Sequence, residues 1–145
     1  MGAATCLLAL KSHPKVSYVV SDSSFSKLEE VVCYMLKNRH LIRWPIVPLT
    51  NLFLKQFHHF SFQDCAPIMA VKVAEVPILF IQGTQDSFVP FKEAQDLFNA
   101  TEDPRKKLYS FAAPHGMSLS ADPVPYRKIL KDFLSEKEGT VHDRT

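Results

Sequence analysis

The sequence predicts an α/β domain: a parallel sheet of about three strands with flanking helices and a small helical insert. Two observations predict it. Runs of β-branched or apolar residues alternate along the chain with segments of helical periodicity, and that alternation implies crossovers between parallel strands. One run, Val76-Pro77-Ile78-Leu79-Phe80-Ile81, is apolar throughout, as a strand covered on both faces must be. Three strands are few for this class, so the sheet reads as incomplete.

Residues 1–11 are small and apolar on nearly all sides and read as a buried helix. Ser12-His13-Pro14 ends it. Val16 to Val20 is a short strand before the turn cluster Ser21-Asp22-Ser23-Ser24. Ser26 and Glu29 fit a capping box. Leu28, Val31, Val32, Met35 and Leu36 then carry a helix to about 37–39. Pro45 and Pro48 break the stretch Leu41 to Leu49, and Asn51 to Phe60 can form a helix. The whole segment of about 40–75 reads as a cap-like insert, because a linker would be polar.

After the strand at 76–81, Gln82 to Asp86 is a turn. A helix begins near Pro90 with Phe91, Ala94, Leu97 and Phe98 on one side. Lys107 to Phe111 is a strand, and an Ala-Ala-Pro-His-Gly loop follows it. Asp122 can cap a last helix with Pro123 in its first turn. The apolar stripe of that helix is Tyr126, Ile129, Leu130, Phe133 and Leu134. Residues 137–145 are a polar tail beyond a single domain of 1–136.

Composition narrows the function. The 145 residues are 46% hydrophobic and 22% charged, an ordinary globular mix. A net charge of +2 gives no general pull toward nucleic acid or membrane. The apolar or small run Gly2 to Leu10 covers about half of what spans a bilayer and lacks the charged start of a signal peptide. Cys6, Cys33 and Cys65 are odd in number and widely spaced, which indicates neither a disulfide framework nor a zinc site. They read as thiols in a reducing compartment, and the chain as cytoplasmic.

Chemistry is expected at the carboxyl ends of the strands, where open α/β sheets bind ligands. Asp86 follows one strand and His115 follows another. Such a pair is the acid and base of a nucleophilic hydrolase: the imidazole takes the nucleophile's proton, and the carboxylate fixes its tautomer. Either residue alone reads as an ordinary loop residue. Ser87, Ser118 and Ser120 lie close to the pair in sequence but lack a strand-to-helix elbow. Cys6 and Cys33 read as helix packing. His58-His59 are adjacent without matching ligands, and Arg105-Lys106-Lys107 is a solvated turn. Phe53, Phe57, Phe60 and Phe62 line an acyl pocket or pack as core. Asp22-Ser23-Ser24-Phe25 caps the next helix.

These segments resemble the α/β-hydrolase superfamily. Val76 to Pro90, with Gln82-Gly83-Thr84-Gln85-Asp86-Ser87-Phe88-Val89-Pro90 after its strand, is similar to the acid-bearing segment H-G-x-x-D-x-x-V-P. Pro114-His115-Gly116 resembles the histidine loop, and Asp122 to Leu134 the closing helix. Met1-Gly2-Ala3-Ala4-Thr5 resembles the second half of a G-x-S-M-G-A-A-T nucleophile elbow. The insert is similar to the lid of cell-surface or S9-peptidase-like bacterial hydrolases. Gln82 stands where His often precedes the glycine, and Pro114 where Gly precedes the histidine.

The resemblance implies the C-terminal part of a serine hydrolase that cleaves an ester, thioester or peptide bond through an acyl-enzyme. Asp86 would orient His115, which acts as base and then acid. Met1 would give a backbone oxyanion donor, and the nucleophile would fall immediately before Met1. The chain alone would then be inactive. No cofactor or metal is implied. The partners implied are a small-molecule ester or peptide substrate in the longer parent and a chain supplying the missing half of the sheet. Another reading is a non-catalytic remnant that serves as an interaction module, since the strand at 16–20 offers an open edge.

Overall fold

The computed structural model describes residues 1–12 and 14–135. Three parallel strands form one sheet in the order β1-β2-β3: β1 (Val19–Asp22), β2 (Ile78–Gly83) and β3 (Lys107–Phe111). The helices are α1 (Gly2–Ala9), α2 (Leu28–Asn38), α3 (Arg43–His58), α4 (Pro67–Val71), α5 (Phe91–Ala100), α6 (Ser118–Ala121) and α7 (Pro123–Ser135).

Alternation along β2 builds the layers. Ile78 and Phe80 face Leu7, Ala70, Val71 and Leu97, from α1, α4 and α5. Leu79 and Ile81 face Phe111, Tyr126 and Phe133, so α7 covers the opposite face. Every residue of β2 is buried, as the unbroken apolar run requires. A third cluster, with Ala4, Phe25, Val31, Cys65 and Val89, joins α1 and α2 to the loops after β1 and β2.

Several boundaries differ from the sequence reading. The strand expected at 16–20 runs from Val19 to Asp22. Val16 and Tyr18 are exposed, whereas Ser21 and Asp22 pair with Phe80 and Ile81. Polar turn-forming residues are drafted into the strand because β2 offers them a ladder. Similarly, β2 lies two residues later than 76–81, because Gln82 and Gly83 pair with Ser110 and Phe111.

The expected capping box at Ser26 does not form. Lys27 is the N-cap of α2 and makes no side-chain cap bond. The Ser26 amide and hydroxyl both donate to Glu93 Oε2, at 2.8 and 2.6 Å, so the buried Glu93 carboxylate takes that serine away from the helix. The insert is also more helical than its prolines suggest. Trp44 has an extended backbone, so the regular helix starts at Pro45, and Pro45 and Pro48 fall in a first turn whose N–H groups lack intrahelical partners anyway. A capping box does occur at Ser61 and Asp64, in a short turn of 3-10 helix. The helix end assigned to Ser12-His13-Pro14 lies partly, and the tail 137–145 wholly, outside the described residues.

Candidate active site

The loops after β2 and β3 are built as one piece. Thr84 N–H donates to the Phe111 carbonyl at 2.8 Å, and Gln85 N–H to the Ala113 carbonyl at 3.1 Å. Gly83 makes that approach possible: a Cβ there would lie 2.1 Å from the Ala113 oxygen. Only glycine lets two backbones come so close.

Asp86 stands in the first of these loops with its side chain fully buried. Its Oδ1 accepts the N–H groups of Phe88 and Val89, at 2.9 and 2.8 Å. Its Oδ2 lies 2.9 Å from Gln82 Nε2 and 2.6 Å from His115 Nδ1. Three of the four partners are N–H donors, and the fourth is the His115 ring nitrogen. The carboxylate thus offers His115 Nδ1 an acceptor, a contact that suits a proton on that nitrogen.

Gln82 orients the acid. It is fully buried on β2, and its Nε2 also donates to the Val89 carbonyl at 2.9 Å. Two acceptors on one side fix the direction of the amide and leave Gln82 Oε1 buried without a partner. The sequence reading treated Gln82 only as a replacement in a motif; its role becomes visible only when β2 is seen to run through it.

The histidine loop is held from a second side. The Gly116 N–H donates to Ser23 Oγ at 3.1 Å, and Ser23 Oγ donates to Asp22 Oδ1 at 2.9 Å. Asp22 Oδ2 accepts the Tyr126 hydroxyl at 2.8 Å. Burial pushes the Tyr126 phenol up to about 12, helped by its bond to Asp22 and by that residue's charge. Ser23 has φ 57° and Gly116 φ 66°, so both turns use left-handed backbone. The expected helix-capping role of Asp22 and Ser23 is not what the structure shows: they join the end of β1 to the histidine loop and α7.

The structure thus brings Asp86 and His115 into contact. The His115 side chain is 37% exposed, with the Phe88 ring 5.9 Å away. Met1 is the exposed N-cap of α1, its carbonyl accepting the Thr5 N–H at 3.1 Å. Among the described residues, no serine or cysteine hydrogen-bonds the His115 ring. Ser118 is buried in α6 with its hydroxyl unpartnered. Nor do three or more His, Cys, Asp or Glu side chains gather there as a possible metal site. The four phenylalanines of the insert do not share one pocket: Phe62 is buried, whereas Phe53 and Phe57 stack outside, with ring centres 4.7 Å apart. A cleft of about 640 Å³ opens between α2 and the start of α5, lined by Cys33, Tyr34 and Glu93 among others, and not by Asp86 or His115.

Known proteins carry the same architecture. No family model matches the chain. It is 27% identical over 137 residues to the uncharacterized protein YqkD of Bacillus subtilis, a match that covers 92% of this chain and 45% of that protein. A Pyrococcus furiosus esterase superposes with a TM-score of 0.68 at 20% identity, over 93% of this chain and 50% of the esterase. An acylaminoacyl peptidase of Pyrococcus horikoshii gives 0.70 at 17% identity, over 94% of this chain and 22% of the peptidase. The chain has the α/β-hydrolase fold. It spans less than half the length of the curated relatives it matches. Within this α/β-hydrolase arrangement, Asp86 and His115 occupy loops at the carboxyl ends of neighbouring strands.

Proposed function

We propose that the chain supplies the acid and base of a serine hydrolase that cleaves an ester, thioester or peptide bond. Asp86 orients His115. His115 Nε2 takes the proton of a serine hydroxyl as it attacks the carbonyl carbon, then returns it to the leaving group as the acyl-enzyme forms. Water repeats the cycle and releases the acid. The serine comes from a nucleophile elbow packed ahead of Met1, whose backbone N–H then serves as an oxyanion donor. The substrate is a small ester or peptide, and the setting is cytoplasmic. The 2.6 Å contact between His115 Nδ1 and Asp86 Oδ2 carries this reading.

The test joins the 145-residue chain to the part of YqkD that it does not match, and treats the chimaera with a fluorophosphonate probe. A label at the elbow serine that disappears in His115→Gln is the expected result. Labelling of a serine of the 145-residue chain by itself overturns the reading. Should the chimaera not fold, nitrogen NMR of the isolated chain reads the His115 tautomer directly, and a neutral Nε2–H form counts equally against it.

A second reading rests on β1, which is an edge strand among the described residues. Its free side suits pairing with a strand of another chain that completes the sheet. In that reading the chain is an interaction module, and co-purification with a partner lacking a G-x-S elbow favours it.

A further inference from the structure

Helix α3 is apolar on two sides. Val47 is buried against the domain, and Leu54 is half-buried. Yet Ile46, Leu49, Leu52, Phe53 and Phe57, spaced for the opposite face, are exposed. Ile42 and Trp44, at the start of the helix, are 73% and 76% exposed. A contiguous apolar patch of this kind on a soluble protein marks a contact surface.

Its charge identifies the partner. Between Glu30 and Asp64 the sequence contains no acidic residue, while Lys37, Arg39, Arg43 and Lys55 all fall there and are exposed. Arg43 has one long ion pair, 3.7 Å from Glu29. The net charge of +2 for the whole chain conceals this acid-free stretch, because the acids are concentrated elsewhere. On α3 itself the exposed aromatic and aliphatic side chains share the helix with Arg43 and Lys55 and with no acidic residue, a composition that matches the interface of an anionic bilayer. No described helix is long and apolar enough to cross a membrane, so α3 would lie along one.

We propose that the outer face of α3 docks the protein onto anionic lipid surfaces. Phe53 and Phe57 enter the acyl boundary, and the Arg43 and Lys55 side chains of the same helix meet the headgroups. This surface is separate from the Asp86–His115 pair and does not depend on the hydrolase reading.

Trp44 is the sole tryptophan of the chain and reports on the face directly. The 145-residue protein is mixed with vesicles of phosphatidylcholine alone or with phosphatidylglycerol. Co-sedimentation and a blue shift of Trp44 emission are expected only with the anionic vesicles, with release as salt is raised. Phe53→Asp with Phe57→Asp weakens binding on the order of a hundredfold without changing circular dichroism, since both side chains are exposed. Equal binding by that double variant, or no binding to anionic vesicles, overturns the proposal. So does a lipid-free, concentration-dependent blue shift, which assigns the face to a second copy of the chain.

Discussion

The amide of Gly116 donates to the hydroxyl of Ser23 at 3.1 Å, across 93 residues of sequence. This bond ties the end of β1 to the loop carrying His115. Ser23→Ala removes the acceptor while leaving a Cβ at φ 57°, and a loss of about 1 kcal/mol is expected. Ser23→Gly loses the same bond but relieves the left-handed strain, so it is the less destabilised of the two. Urea unfolding midpoints give that order, and faster hydrogen exchange at the Gly116 amide is expected in both.

Asp86→Asn tests the acid loop. The native carboxylate meets three N–H donors and the His115 ring nitrogen, whereas an amide must turn its NH₂ toward two of these four groups. A destabilisation of about 2–3 kcal/mol follows from the unmatched buried donors. Thermal unfolding measures it, and nitrogen NMR is expected to show the His115 proton redistributed between its two ring nitrogens.

Tyr126 gives a pH dependence with a defined sign. Its phenol moves from an ordinary 10 to about 12 in the folded chain, chiefly through burial and then through Asp22. The contribution is complete below the unfolded value. Stability then falls as pH rises from about 10 to about 12, because the unfolded chain releases this proton first. Tyr126→Phe is expected to flatten that part of the pH–stability curve and to remove the late step from the ultraviolet titration of tyrosine.

The thiols are predicted to react in order. Cys6 is exposed, Cys33 half-buried and Cys65 buried. Burial raises the Cys65 thiol. It also raises Cys33, where Glu29 and Glu30 add to the effect and Arg43 opposes it. Iodoacetamide near neutral pH should label Cys6 first and Cys65 only after denaturation, as peptide mass spectrometry would show.

Much of the architecture is legible in the sequence because burial writes itself into periodicity. β3 and α7 fall where their patterns place them, and the apolar run announces β2 although its ends shift by two residues. Ser21 and Asp22 are misread because local turn preference is overruled by pairing with a neighbouring strand. Pro45 and Pro48 mislead because a proline is harmless in a first turn, and the sequence alone does not locate that turn. Asp86 and His115 can be singled out from their places after strands. Their supports, Gln82, Ser23 and Tyr126, are chosen by distance in space, and no spacing along the chain encodes that.

The bare α-carbon of Gly83 has one more consequence. Because the main chains of the Asp86 and His115 loops touch there, with the Ala113 oxygen where a methyl group would otherwise sit, the gap between the two side chains is gauged by backbone. Stripping away either side chain should leave both loops at their native spacing. A single methyl at 83 would act as a wedge and prise them apart without altering either Asp86 or His115.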